Sequence, residues 1–182
     1  MVKKPEKSTK TTKKLQLIGS TAFILVDDYR KVLAKIDTGA DSSAIWASNI
    51  NVTEDGTLEF SLFGPSNPLY DGKIIRRTDF EAVAVRSAMG QQQIRYRTHL
   101  PITIEGRKIN VLFSLANRSK NNFPVLIGKR TIRGKFLVDV TKTVKKRGEV
   151  SETIALTHEL KKNPFKFHQK YVKLKKSKGV SK

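Results

Sequence analysis

Ala34-Lys35-Ile36-Asp37-Thr38-Gly39-Ala40-Asp41-Ser42-Ser43-Ala44-Ile45-Trp46 is the stretch from which the fold is read. An apolar run delivers a carboxylate, Asp37, into a tight turn. Thr38 adds a hydroxyl for bracing, and Gly39 lets the backbone approach a ligand closely. By themselves Asp37, Thr38 and Gly39 have an ordinary explanation, because strand-to-turn junctions often carry Asp and Gly for geometry alone. Asp41 has one too, as a turn-capping carboxylate. The weight therefore falls on what surrounds them.

Outward from this loop the chain has an all-β rhythm. Short apolar runs rich in β-branched residues alternate with Gly, Asn, Asp and Pro. The pattern predicts strands at 15–18, 22–26, 32–36, 57–63, 74–85, 93–104 and 108–115. A short buried strand follows at 124–127 and a terminal one at 136–140, with a helical turn over 129–134 between them. Ser87-Ala88-Met89-Gly90 suits the tip of a long hairpin, and Gly106 punctuates the next one. After residue 140 the chain turns Lys-rich. A short helix is expected over 151–162, capped by Ser151 and stopped by Asn163-Pro164. Beyond it Phe165, Phe167 and Tyr171 interleave with lysines.

The formal charge of +20 is unevenly spread. Residues 1–14 carry +5, residues 141–182 carry +10, and only +5 remains for the stretch between them. The expected organisation is thus a disordered basic arm (1–14), one domain (15–140) and a basic C-terminal extension (141–182). Without cysteine, disulfides, thiolate metal sites and cysteine nucleophiles are excluded. The first residues lack the apolar segment of a signal peptide, and no apolar run is long enough to span a membrane, so a cytoplasmic protein is expected. His99, His158 and His168 are scattered.

The extended loop, Ile36 through Ala44, resembles the active-site loop of retropepsins, the single-loop aspartic proteases. A second segment supports the likeness: Phe123-Pro124-Val125-Leu126-Ile127-Gly128-Lys129-Arg130 resembles the strand and helix start that close the retropepsin core. The chain is similar over roughly residues 17–140 to a bacterial and archaeal family labelled ATP-dependent zinc proteases and linked with RimK-type ligases, whose members share that fold. The resemblance implies an all-β, retropepsin-like closed β-barrel (acid-protease fold) with one short helix and basic tails. It implies a catalytic group of Asp37, Thr38 and Gly39. Gly39, Ala40, Asp41, Ala88, Met89 and Gly90 would contact substrate, the last three as a flap, and Gly128, Lys129 and Arg130 would give structural support. Lys129 stands where retropepsins carry Arg, which makes a pair with Asp41 looser, and Arg130 is an alternative partner.

Neither half of the family label finds its motif. No phosphate-binding Gly-x-x-x-x-Gly-Lys-Ser/Thr exists, and His158-Glu159 lacks the second His of a zinc-protease helix. Trp46 occupies the place after the loop where the family is expected to carry His. No cofactor and no metal are therefore expected.

Carboxylate-driven peptide hydrolysis needs two acids about 3 Å apart sharing a proton, the aspartic proteases being the standard example. This chain has one such loop, so an enzyme here must be a homodimer with Asp37 of each chain at a two-fold axis. The ligase link and the basic charge point to a peptide or protein substrate, acidic or isopeptide-bonded. Two alternatives stand beside the protease: a non-catalytic retropepsin-fold protein binding peptides or another partner, and a nucleic-acid-associated protein acting through its basic tails, where aromatic residues would stack on bases.

Overall fold

The computed structural model describes residues 14–28, 30–86, 92–144 and 152–176. In chain order the strands are β1 (Gln16–Gly19), β2 (Thr21–Val26), β3 (Arg30–Asp37), β4 (Ser43–Val52), β5 (Leu58–Leu62), β6 (Ile74–Arg77), β7 (Phe80–Arg86), β8 (Gln92–Ile104), β9 (Arg107–Ala116), β10 (Val125–Gly128) and β11 (Phe136–Asp139). One turn of helix, α1 (Lys129–Ile132), follows β10 directly.

Strand β8 shows why this sequence makes sheet. Thr98, Leu100, Ile102 and Ile104 are buried, while the residues between them face outward. That is the period-two signature of a strand packed on one face. Pro101 is tolerated because one edge of β8 changes neighbour there, pairing with β7 up to Thr98 and with β2 from Ile102. Strand β8 turns into β9 through Glu105-Gly106, with φ of 47° and 75°. Two positive-φ residues in a two-residue loop give the twist that antiparallel strands favour.

Strands β10, β3, β2, β8, β9 and β4 follow one another by hydrogen bonding, and β10 pairs again with β4, so the sheet closes into a six-stranded barrel. The all-β retropepsin-like barrel expected from the sequence is what forms. Inside it and under β5 lie Ile24, Ile45, Phe60, Phe63, Leu100, Ile102, Phe113 and Ile127, each at most 1% exposed. Burying such a side chain contributes roughly 1.5–3 kcal/mol, so this cluster dominates the barrel's stability. Strands β1 and β11 pair in parallel as a separate two-stranded sheet.

The structure departs from the sequence expectations in three places. The expected strand 74–85 is two strands, because β6 pairs with β5 while β7 pairs with β8, and the chain bends at Thr78 and Asp79 to change partner. Strand β4 was not expected at all. Its first five residues are all buried, so both faces are covered and it has no alternation to read, and its Ser, Ala and Asn content is weak for strand.

The third departure is in the C-terminal extension. The chain divides by contacts between Val144 and Lys145, and the second unit holds α2 (Glu152–Lys162) and α3 (Pro164–Lys176). One short helix was expected there, ending at Asn163-Pro164. The same two residues also start a second helix: the Asn163 side-chain oxygen accepts the Lys166 N–H at 3.0 Å, and Pro164 takes the first helical position, where its missing N–H costs nothing. Glu159 joins the two helices, accepting from Lys170 Nζ at 2.7 Å and from the Tyr171 hydroxyl at 3.1 Å.

Candidate active site

Strand β3 anchors the loop through buried Val32, Leu33, Ala34 and Ile36, and so delivers Asp37 to the point where the chain leaves the barrel. The carboxylate then organises its own turn. Oδ1 accepts the backbone N–H of Gly39 at 3.1 Å and of Ala40 at 3.2 Å, which is the geometry of an Asx turn. Oδ2 is left for other partners, with the Lys35 ammonium 3.5 Å away. The Asp37 side chain is 25% exposed, buried enough to be held and open enough to be reached.

The second segment locks this loop from behind. Gly128 lies opposite Asp37 in the parallel pairing of β10 with β3. Its N–H donates to Ser43 Oγ at 3.0 Å, and that hydroxyl bonds Thr131 Oγ1 at 2.8 Å, both side chains being buried. The Lys129 N–H donates to Ala40 O at 2.8 Å and the Arg130 N–H to Asp41 O at 3.3 Å, so the loop's carbonyls satisfy the first N–H groups of α1. Only glycine fits at 128, since an added Cβ would stand 2.5 Å from Ser42 O and 2.9 Å from Ala40 O. Gly39 is different. Among the described residues a Cβ there would meet only Asp37 Oδ1, at an ordinary 3.4 Å, so none of them demands glycine.

Asp41 pairs with Lys129, Oδ1 to Nζ at 2.5 Å, both side chains well exposed. The Lys129 hydrogen bond and charge hold the Asp41 carboxyl below the ordinary carboxylate range, and Arg130 adds a weaker pull from farther away. Of the two bases expected near Asp41, Lys129 is the partner. Thr38 is exposed, and its hydroxyl has no hydrogen-bond partner among the described residues. Ala88, Met89 and Gly90 lie outside the described residues, between the ends of β7 and β8 at Arg86 and Gln92.

Arg118 was overlooked as a member of this site. It is half-buried, donates from Nε to Phe123 O at 3.1 Å, and has its charge opposed first by burial, then by Arg95, and supported by Asp37. Lys35 and Arg118 therefore both act on the carboxylate electrostatically. Sequence pattern gave no sign of this, since Arg118 is brought to Asp37 only by the parallel pairing of β9 with β4 and the loop that follows. Trp46 is a core residue at 8% exposure, its ring against Gly64. Beyond it an open cleft of about 540 Å³ is lined by Trp46, Ile50, Arg95, Tyr96 and Asn117, among others.

A family model described as RimB-like, the retropepsin-like aspartic endopeptidase RimB, matches residues 18–148. The chain belongs to the RimB-like family. Of the likeness to the family labelled zinc proteases, the RimB-like match supports the retropepsin-like fold. For zinc itself the donor set does not fit: among the described residues no three His, Asp or Glu side chains converge. A solved structure of a Legionella pneumophila protein of unknown function shares the fold with a TM-score of 0.55 at 23% identity, covering 71% of this chain and 97% of that one. No curated protein matches the chain. No helix of the described residues is long and apolar enough to cross a membrane.

Proposed function

We propose that this RimB-like chain is a homodimeric aspartic endopeptidase that hydrolyses peptide or isopeptide bonds with water activated between two Asp37 carboxylates, one from each protomer. The observation that carries this reading is a single Asp37 loop, locked from behind by β10, whose carboxylate spends one oxygen on its own turn and presents the other outward. Two such acids sharing a proton at a symmetry axis divide the work. The ionised one takes a proton from water as the water oxygen bonds to the carbonyl carbon. The protonated one gives its proton to the carbonyl oxygen. Collapse of the tetrahedral species breaks the C–N bond, and a proton passes to the leaving nitrogen.

In this reading Thr38, exposed and without a hydrogen-bond partner among the described residues, braces the paired loops across the axis. Gly39, Ala40 and Asp41 contact the substrate backbone, Ala88, Met89 and Gly90 close over it, and Gly128, Lys129 and Arg130 keep the loop in place. Lys35 and Arg118 beside the carboxylate favour an acidic substrate. The decisive experiment compares the parent with Asp37→Asn in solution mass and in cleavage of a peptide library across acidic to neutral pH. The expected result is a dimer in both and cleavage in the parent alone. A dimer that binds peptides, with the variant indistinguishable from the parent in every assay, would make the chain a binding protein.

A second reading has one observation in its favour. Helix α3 carries Lys166, Lys170, Lys173, Lys175 and Lys176 and no acid. A nucleic-acid partner for the extension predicts affinity that falls steeply with salt and is lost on replacing these lysines by Gln.

A further inference from the structure

On the far side of the carboxylate loop the barrel has a second cavity, of about 210 Å³. Its floor is the outward face of β8 and β9, which carries Arg97, His99 and Asn110, and its walls are Ser42, Arg130 and Lys135. An antiparallel sheet face of this kind ordinarily meets water. Here α1 and the turn after it stand over the face, and the Arg97 side chain is left only 17% exposed. A cation so covered needs a countercharge and a hydrogen-bond acceptor for each buried donor. Glu81 accepts from Nη2 at 2.7 Å, but Nε is buried with no hydrogen-bond partner among the described residues.

The lining holds no carboxylate. Arg97, Arg130 and Lys135 are all drawn to one small space, with the Asn110 amide, the Ser42 hydroxyl and the His99 ring completing a polar wall. Of the acids nearby, Glu81 is engaged by Arg97, and Asp79 stands 3.8 Å from His99 Nδ1. We infer that this cavity binds a tetrahedral oxyanion of the phosphate type, with Arg97, Arg130 and Lys135 as its cations. A space of this size takes a phosphate group with room for a few waters. A larger anionic ligand would enter by its phosphate alone. Through Ser42 and Arg130 the anion also touches both segments that hold the carboxylate loop, so the loop tightens when the site fills. The inference stands apart from the proteolytic reading, and its test needs no substrate.

The probe is inorganic phosphate, titrated into the full chain with chloride at equal ionic strength as control and backbone amide NMR shifts as the readout. Shifts are expected at Ser42, Asn110 and Leu112, saturating with phosphate and absent with chloride. Lys135→Gln, a change at the cavity wall, is expected to weaken binding about tenfold or more, the loss typical of a charge-assisted hydrogen bond. Arg97→Gln should do the same. If that variant fails to fold, Lys135→Gln decides alone. A larger response to phenyl phosphate assigns the site to a phosphate monoester, and none to it assigns the free ion. Phosphate shifts equal to those of chloride, or unchanged by Lys135→Gln, overturn the inference.

Discussion

Replacing Gly128 by Ala tests how the carboxylate loop is held. The new Cβ stands 2.5 Å from Ser42 O and 2.9 Å from Ala40 O, and both obstacles are backbone, which cannot rotate away. Relief requires parting β10 from the loop. That stretches the Gly128 N–H to Ser43 Oγ bond and the Lys129 N–H to Ala40 O bond, 3.0 and 2.8 Å in the parent. Two weakened hydrogen bonds at about 1 kcal/mol each, with about 1–3 kcal/mol of overpacking, amount to roughly 3–5 kcal/mol. For a domain of this size that is a drop of about 10–15 °C in Tm. The matching control is Gly39→Ala, whose Cβ makes only an ordinary contact with Asp37 Oδ1. Its melting should stay within about 2 °C of the parent, while cleavage, if the chain is a protease, falls more than about tenfold because a methyl group then crowds the reacting carboxylate. Calorimetric melting of the three proteins decides the matter. A Gly128→Ala protein melting with the parent, or a Gly39→Ala protein melting as low as Gly128→Ala, refutes the account of the lock.

Other consequences follow from the same geometry. Asp37→Asn keeps an Oδ1 acceptor for the Gly39 and Ala40 N–H groups, so its melting should be close to that of the parent even as cleavage disappears. A large loss of stability would mean that the carboxylate's charge holds the turn. Phe113→Ala removes a ring that is 0% exposed and should cost about 3–5 kcal/mol in urea unfolding, whereas a cost below about 1 kcal/mol would contradict the packing described. Lys129→Met removes the cation that lowers Asp41. Because a depressed carboxyl stabilises above its unfolded range and loses that effect as pH falls through its folded one, the small difference between parent and variant at neutral pH should vanish once the pH has fallen below the folded carboxyl's lowered range. Should it persist there, the Asp41 pair is not its source. Asn163→Ala removes the cap of α3 at a cost of about 1 kcal/mol, which should speed amide exchange in its first turn about fivefold.

The carboxylate loop was legible because its chemistry is local. A strand, an Asp that turns on its own backbone and a Gly sit within a few residues, and the strand over Val32 to Ile36 shows its period. The strands β2 and β8 and the first half of β9 were legible for the same reason, each having one more buried and one more outward face. Strand β4 was hidden because both of its faces are buried over its first five residues, which removes alternation, and α3 because Asn163-Pro164 reads equally as a stop and a start.

From its order of residues alone this protein fixed a β-barrel rhythm, one Asp-Thr-Gly loop, a chain free of thiols and charge gathered at the two ends. Each of these is set within a window of neighbours, where periodicity and turn chemistry act. Only tertiary structure put Gly128 against Asp37, gave Lys129 rather than Arg130 to Asp41, brought Arg118 toward the carboxylate, and set Arg97, Arg130 and Lys135 around one cavity. Those pairings join residues far apart in the chain, and what selects them is closure of the sheet, because only with β10 between β3 and β4 do the buried backbone groups of all three strands find partners.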